Sequence, residues 1–315
     1  MFVMAKYVFG VDIGGTTVKL GLFDVGGIML DKWEIPTRTE NGGVNILPDI
    51  ADSVRDKMAE KSIIKEDVAG VGVGAPGPVD GAGIIHKAVN LGWGEMNLKK
   101  ELSALLDGMR VEGGNDANVA ALGEMWKGGG QGFQNLVAVT LGTGVGGGII
   151  INGRILTGAT GSGGEIGHIH VEDHETDACG CGNFGCLEEY ASATGIVRLA
   201  NRKLQSSDKD SVLRQGEVSA KTVFDAVKAK DELAMEIAEQ FGDYLGKGLA
   251  VIAGVVNPEI FVIGGGVSKA GEVLFEYIQP SFDKTVFHGC RNTKFVLATL
   301  GNDAGIYGAA KMVLD

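Results

Sequence analysis

The chain opens twice with one pattern, and this repeat constrains its architecture more than any other feature. Tyr7 to Asp12 is an apolar run, Gly14-Gly15-Thr16-Thr17 a turn, Val18 to Asp24 a second run, and Ile28 to Ile35 a third. At Leu136 the pattern restarts, with Leu136 to Leu141, the turn Gly142-Thr143-Gly144-Val145-Gly146, Gly147 to Ile151, and a third run beginning at Arg154 to Leu156. Short apolar runs punctuated by glycine turns read as strands, so each copy is a β-meander. Each meander is followed by helix, strand and helix, which implies an α/β chain of two duplicated domains with a central cleft.

Ile46, Ile50, Val54 and Met58 have helical spacing, and Val68 to Gly74 is a short buried strand ending at Ala75-Pro76-Gly77-Pro78. A helix around Leu98 to Leu106 leads to a strand near Met109 to Glu112. Asn115-Asp116-Ala117-Asn118 then supplies small polar residues suited to cap a helix running to about Trp126. In the second half a long helix is expected over Ala234 to Val255 and strands over Ile260 to Ile263 and Phe295 to Leu300. A terminal helix is expected over Asp303 to Val313. The expected domains are residues 1–118 with 303–315, the smaller, and residues 119–302, the larger. No long linker separates them, so they are expected to be packed and hinged.

At 315 residues, with 44% hydrophobic and 22% charged content, the chain can bury two ordinary globular cores. A net charge of −12 argues against a nucleic-acid partner, because phosphate binding needs clustered Lys and Arg. Met1 to Gly10 lacks the basic start and cleavage site of a secretory signal. No stretch approaches about 18 unbroken apolar residues, so no membrane partner is expected and the cytoplasm is the expected location. The 52 glycines are roughly twice the usual share, and most sit in short turns between apolar runs.

Between residues 165 and 188 the chain reads Glu-Ile-Gly-His, ten further residues, then Cys-Gly-Cys-Gly-Asn-Phe-Gly-Cys-Leu-Glu. Thiolates and imidazole are the ligands Zn²⁺ prefers, and Cys179, Cys181 and Cys186 with one histidine fill its four tetrahedral positions. With no position left for a catalytic water, the zinc would be structural. Cys179 and Cys181 are too close in sequence for ordinary disulfide geometry. His168 leads as fourth ligand, but His170 would share a strand face with it, and His174 is a weaker candidate. Cys290, remote from the cluster, reads as a small apolar residue.

Asp12-Ile13-Gly14-Gly15-Thr16-Thr17-Val18-Lys19 and Leu141-Gly142-Thr143-Gly144-Val145-Gly146 offer backbone N–H groups and hydroxyls, the equipment that grips phosphate. Either could be a plain hairpin; two at matching places in a repeat favour a nucleotide. Gly142, Gly144 and Gly147 fall in a Gly-x-Gly-x-x-Gly pattern, as do Gly72 to Gly77, yet neither leads directly into a helix as a dinucleotide site requires. Asp12, ending its strand, could hold Mg²⁺ directly or through water. Asp116 could be a base accepting a proton from an attacking hydroxyl, but local sequence alone favours a helix cap.

Asp12-Ile13-Gly14-Gly15-Thr16, Gly74-Ala75-Pro76-Gly77-Pro78, Asn115-Asp116, Leu141-Gly142-Thr143-Gly144, Glu165-x-Gly-His168 and Cys179-x-Cys181-Gly-x-x-Gly-Cys186-x-Glu188 occur in this order. Together they resemble the ROK family of sugar kinases, repressors and open reading frames over nearly the whole chain. The resemblance implies the actin-like ATPase fold, built of two ribonuclease H-like domains closing on a sugar and ATP, and a homodimer or homotetramer. It implies that Asp116 is the general base and that Asn90, Asn115, Glu165, His168 and Glu188 bind sugar hydroxyls, His168 also ligating zinc. It makes Gly264-Gly265-Gly266 part of the adenosine pocket. The activity implied is ATP- and Mg²⁺-dependent phosphorylation of glucose at C6, with fructose, mannose, N-acetylglucosamine or N-acetylmannosamine as competing substrates and polyphosphate as a competing donor. Repressors of the family carry an N-terminal helix-turn-helix, for which a first strand at about residue 7 leaves no room. A non-catalytic sugar sensor is the remaining rival, and the pairing of Asn115-Asp116 with both phosphate turns weighs against it.

Overall fold

A computed structural model describes residues 5–315, so the first four residues of the Met1 to Gly10 segment lie outside the described residues. The chain divides into two compact units: Met1–Gln134 with Gly148–Gly164 and Leu300–Asp315, and Asn135–Gly147 with Glu165–Thr299.

In the first unit the meander consists of β1 (Tyr7–Ile13), β2 (Thr17–Asp24) and β3 (Met29–Pro36). It is followed by β4 (Val68–Ala75), the short pair β5 (Ile84–Ile85) and β6 (Met96–Asn97), and β7 (Val111–Asn115). The sheet order is β3-β2-β1-β4-β7. β1 is antiparallel to β2 and parallel to β4, which is parallel to β7. Central β1 and β4 are almost continuously buried, whereas edge strand β3 alternates half-buried with exposed residues.

One face of this sheet packs Phe9, Val11 and Ile13 against Ile50 and Val54 of the helix Ile46–Glu60 and Leu98 and Leu102 of the helix Leu98–Leu105. The opposite face packs Val8 and Phe23 against Ile306, Ala310 and Val313 of the terminal helix Ala304–Leu314. That helix lies close enough for a Cβ at Gly72 to collide with the Ala309 carbonyl. A Cβ at Gly308 would collide with the Val119 carbonyl of the helix Asp116–Lys127. These two helices are therefore fastened backbone to backbone, which fixes where Asp116 begins its helix.

The second sheet comprises β8 (Leu136–Leu141), β9 (Val145–Ile151), β10 (Arg154–Ile155), β11 (Ile260–Gly264) and β12 (Lys294–Leu297). Its order, β10-β9-β8-β11-β12, repeats that of the first sheet, and β11 is parallel to both β8 and β12. β12 is shorter than the expected Phe295 to Leu300: it ends at Leu297, and the chain turns at Gly301–Asp303 before the terminal helix.

The second unit carries the helix Glu232–Val256, capped by the Asp231 carboxylate accepting from the Ala234 N–H at 2.9 Å and closed by Asn257 at φ 45°. Leu233, Ile237, Phe241, Leu245 and Leu249 form its buried stripe. No described helix is long and apolar enough to cross a membrane.

Candidate active site and metal centre

In the first unit the predicted groups gather at the carboxyl ends of parallel strands, where open α/β sheets bind ligands. Asp12 is the penultimate residue of β1, and Asn115 ends β7 opposite Ala75 at the end of β4. Burial pushes the Asp12 carboxyl up to about 6, with nearby Lys19 opposing that rise and Asp116 adding to it. The following turn closes through Gly14 N–H to the Thr17 carbonyl at 3.0 Å and is braced by the Thr37 hydroxyl, which donates to the Gly14 carbonyl at 2.7 Å. Gly15 and Thr16 stay exposed and Thr17 half-buried, while the Lys19 ammonium donates to the Asn302 carbonyl at 3.2 Å.

Asn115, not Asp116, is the helix cap. Its backbone is extended, and its side-chain oxygen accepts from the N–H groups of Ala117 and Asn118 at 3.0 and 3.2 Å. Its amide donates to the Asp116 Oδ1 at 2.9 Å and to the Gly77 carbonyl at 3.2 Å, tying the Asn115-Asp116 pair to the Ala75-Pro76-Gly77-Pro78 segment. Asp116, at the first helical position, is exposed, and its Oδ1 also accepts from Ala117 N–H at 2.8 Å. Asn90 is exposed on a short turn, Val89–Leu91, closed by reciprocal backbone bonds between Ala88 and Trp93 at 3.1 Å. The Trp93 indole N–H donates to the Gly43 carbonyl at 3.1 Å. That contact joins residues 50 apart, and no local pattern announces it.

The second unit holds the metal-type cluster. The ligand atoms of His168, Cys179, Cys181 and Cys186 all lie within 4.8 Å of one another. His168 Nδ1 is 3.8 Å from Cys179 Sγ, and the Sγ atoms of Cys181 and Cys186 are 3.7 Å apart. His170 is engaged elsewhere, its Nδ1 on the Phe184 carbonyl at 2.9 Å and its Nε2 on Asp173 at 2.8 Å, and Asp173 raises its basicity. His174 is not in the cluster. Of the three histidines, His168 is thus the one whose ring joins the cysteines. Burial pushes the Cys179 and Cys186 thiols upward, while a backbone hydrogen bond at Asn183 holds Cys181 down. Three thiol groups and an imidazole at this spacing suit a soft tetrahedral cation, which would favour the thiolates against burial. Cys290 is buried and remote, its thiol donating to the Ala253 carbonyl at 3.4 Å.

Glu188 begins a short helix, Glu188–Ala191, two residues beyond Cys186. Its Oε1 is 3.8 Å from Cys179 Sγ, and its Oε2 accepts from Val145 N–H at 2.9 Å, directly after the Gly142-Thr143-Gly144 turn. Glu165 precedes the single turn Ile166–His168 and is exposed. Gly264 ends β11, and Gly265, at φ 84°, packs so close to Leu141 that a Cβ would meet that residue's carbonyl at 2.5 Å. The turns 142–144 and 264–266 therefore lie side by side at the carboxyl ends of β8 and β11.

A network without a sequence signal braces the cysteine loop. The Glu175 side chain, 2% exposed, accepts from Tyr190 at 2.6 Å and pairs with Arg198 at 2.8 Å and Arg202 at 3.0 Å. Arg198 also binds Glu189, beside Glu188, at 2.5 Å. These partners hold the Glu175 carboxyl well below the usual carboxylate range, Arg202 contributing most.

The chain is 44% identical to a glucokinase of Halalkalibacterium halodurans, with 98% of this chain and 95% of that protein aligned. Its structure resembles that of a ROK hexokinase from Thermus thermophilus, with a TM-score of 0.80, 32% identity and 96% of each chain covered. It also resembles a ROK family glucokinase from Streptomyces griseus in complex with glucose and AMPPNP, with a TM-score of 0.72, 34% identity, and 97% and 98% of the two chains covered. The architecture is the actin-like ATPase fold. The model of the ROK family matches residues 8–315, and the chain belongs to that family.

Proposed function

We propose that the chain catalyses ATP-dependent phosphorylation of glucose, yielding glucose 6-phosphate and ADP. The observation that carries this reading is the fixed Asn115-Asp116 pair at the carboxyl edge of the first sheet, together with the half-buried Asp12 carboxyl near the end of β1 in the same sheet. The kinase names of full-length relatives support it.

In the reaction, the C6 oxygen of glucose bonds to the γ-phosphorus as the bond to the β–γ bridging oxygen breaks. The hydroxyl proton passes to Asp116 and the electron pair leaves with ADP. Such transfer demands positioning and charge stabilisation more than covalent chemistry. Asn115 is suited to orient Asp116, because its amide engages one carboxylate oxygen. Asn90, Asn115, Glu165, His168 and Glu188 are assigned to sugar hydroxyls, for which carboxylate, amide and imidazole groups provide complementary donors and acceptors.

The Asp12, Gly14, Gly15, Thr16, Thr17 and Lys19 segment and the Gly142, Thr143 and Gly144 turn are assigned to ATP phosphates, and Gly264, Gly265 and Gly266 to its nucleoside. Asp12 fits a Mg²⁺ ion held directly or through water, since a cation offsets the burial of its carboxylate; bound Mg²⁺ neutralises phosphate charge. His168, Cys179, Cys181 and Cys186 fit a structural Zn²⁺ that orders the loop leading to Glu188. A cytoplasmic homodimer or homotetramer is the working form assigned to the enzyme. Incubation of purified protein with glucose, ATP and Mg²⁺ tests the activity: stoichiometric ADP and glucose 6-phosphate are expected, and no product would overturn it.

A further inference from the structure

Glu188 has more partners than a sugar contact requires. Its Oε2 accepts from Val145 N–H at 2.9 Å, and a Cβ on Gly144 would collide with that oxygen. The residues that follow Glu188 grip the same turn. Ala193 N–H donates to the Gly142 carbonyl at 2.8 Å, and the Thr194 hydroxyl donates to the Thr143 carbonyl at 2.6 Å. Thr194 is steadied by Ser192, hydroxyl to hydroxyl at 2.9 Å, and Ser192 N–H donates to the Glu188 carbonyl at 3.2 Å. Two carbonyls of the turn and the N–H directly after it are thus bonded to residues 188–194.

In a planar trans peptide the N–H points opposite to the C=O of the same unit. Pinning the Gly142 and Thr143 carbonyls toward residues 193 and 194 therefore aims the N–H groups of Thr143 and Gly144 away from that junction. These are the groups a phosphate would meet. Their direction is set before any nucleotide arrives, so less ordering is required on binding.

We propose that Glu188 is a positioning residue for the nucleotide as well as a sugar ligand: with Thr194 it presets the Gly142-Thr143-Gly144 turn, linking sugar occupancy to nucleotide affinity through one carboxylate. This rests on the assignment of the turn to ATP phosphates. A sugar hydroxyl arriving at Glu188 alters how the carboxylate holds Val145, and linkage requires that nucleotide change sugar affinity by the same factor.

The test is calorimetric binding of AMPPNP with Mg²⁺ to the full chain, first without sugar. Glu188→Ala and Glu188→Asp, which remove or shorten the acceptor, should weaken AMPPNP about tenfold, as expected for a lost hydrogen bond to a charged group. Glu188→Gln, which keeps an acceptor oxygen, should recover most of that loss. Thr194→Val should weaken AMPPNP about threefold to fivefold with the KM for glucose unchanged, and Thr194→Ser should restore it. At glucose concentrations shown by separate titration to saturate each protein, glucose should shift AMPPNP affinity in the wild type and fail to do so in Glu188→Ala. Wild-type AMPPNP affinity without sugar in the folded Glu188 variants would overturn the proposal, and if those variants do not fold, wild-type affinity in Thr194→Val would do so. If the unmodified protein itself does not bind AMPPNP, the nucleotide assignment fails first and this proposal with it.

Discussion

The Asn115 amide donates to the Asp116 carboxylate at 2.9 Å while the Asn115 oxygen caps the helix that Asp116 begins. One asparagine therefore satisfies the helix terminus and orients the neighbouring acid, which releases Asp116 from the capping role its position in the sequence allows. Asp116→Ala should lower kcat by roughly 10²- to 10⁴-fold, the usual contribution of a general base, with glucose binding retained. Steady-state kinetics with a glucose-binding titration checks this, and near-normal turnover would remove Asp116 from the role.

The metal assignment predicts about one Zn²⁺ per chain by elemental analysis. His168→Ala, Cys179→Ser, Cys181→Ser and Cys186→Ser should each lose metal, whereas His170→Ala should keep it, because His170 is bonded to Phe184 and Asp173 instead. Chelation should abolish activity by loosening His168 and Glu188. Metal-free, fully active protein would refute the bracing role.

Asp12 gives a pH dependence with a defined sign. Its carboxyl is raised from 3.8 to about 6 by burial, so the folded state binds its proton more tightly than the unfolded chain. The stability this confers is complete below 3.8 and lost as pH rises through about 6. In metal-free protein, Asp12→Asn should therefore melt higher than wild type at pH 8, by a few degrees, with the gap closing toward pH 4. Melting curves across that range check the prediction, and an equal gap at both ends would contradict it.

Glu175 behaves in the opposite sense. Arg202, Tyr190 and Arg198 depress its carboxyl below the ordinary glutamate value of 4.5, so its contribution is present above that pH and fades as pH falls further. Glu175→Gln should destabilise the protein at neutral pH and lessen its acid sensitivity below 4.5, as read by unfolding at fixed denaturant concentration. A variant with unchanged acid sensitivity would show that the network carries no such linkage.

The close packing beneath Asp116 makes a further prediction. Gly308→Ala places a Cβ against the Val119 carbonyl, so the terminal helix and the Asp116 helix cannot keep their separation. A loss above about 2 kcal/mol in denaturant unfolding is expected, as for overpacking in a core. A neutral substitution would mean that the helices separate without cost.

The repeated meander was legible because strand patterning and glycine turns are local, and the cysteine spacing because thiol ligands have few other uses in such a pattern. Asn115 and His168 show where locality ends. Nothing in Asn-Asp says which residue caps, since that depends on Asn115 being held in an extended conformation at the end of β7. Nothing in His-Ile-His says which ring meets the cysteines; His170 is drawn off by the Phe184 carbonyl across the loop. The Trp93 contact to Gly43 and the Glu188 contact to Val145 join residues 50 and 43 apart, and only the folded chain brings them together.

A panel of hexoses incubated with ATP and Mg²⁺ and scored by ADP release, with the phosphorylated carbon identified by NMR, tests both the kinase activity and its substrate. Glucose should give the highest kcat/KM, with phosphate on C6. Preference for another hexose would contradict the substrate assignment, and ADP release with none of them would contradict the kinase reading itself.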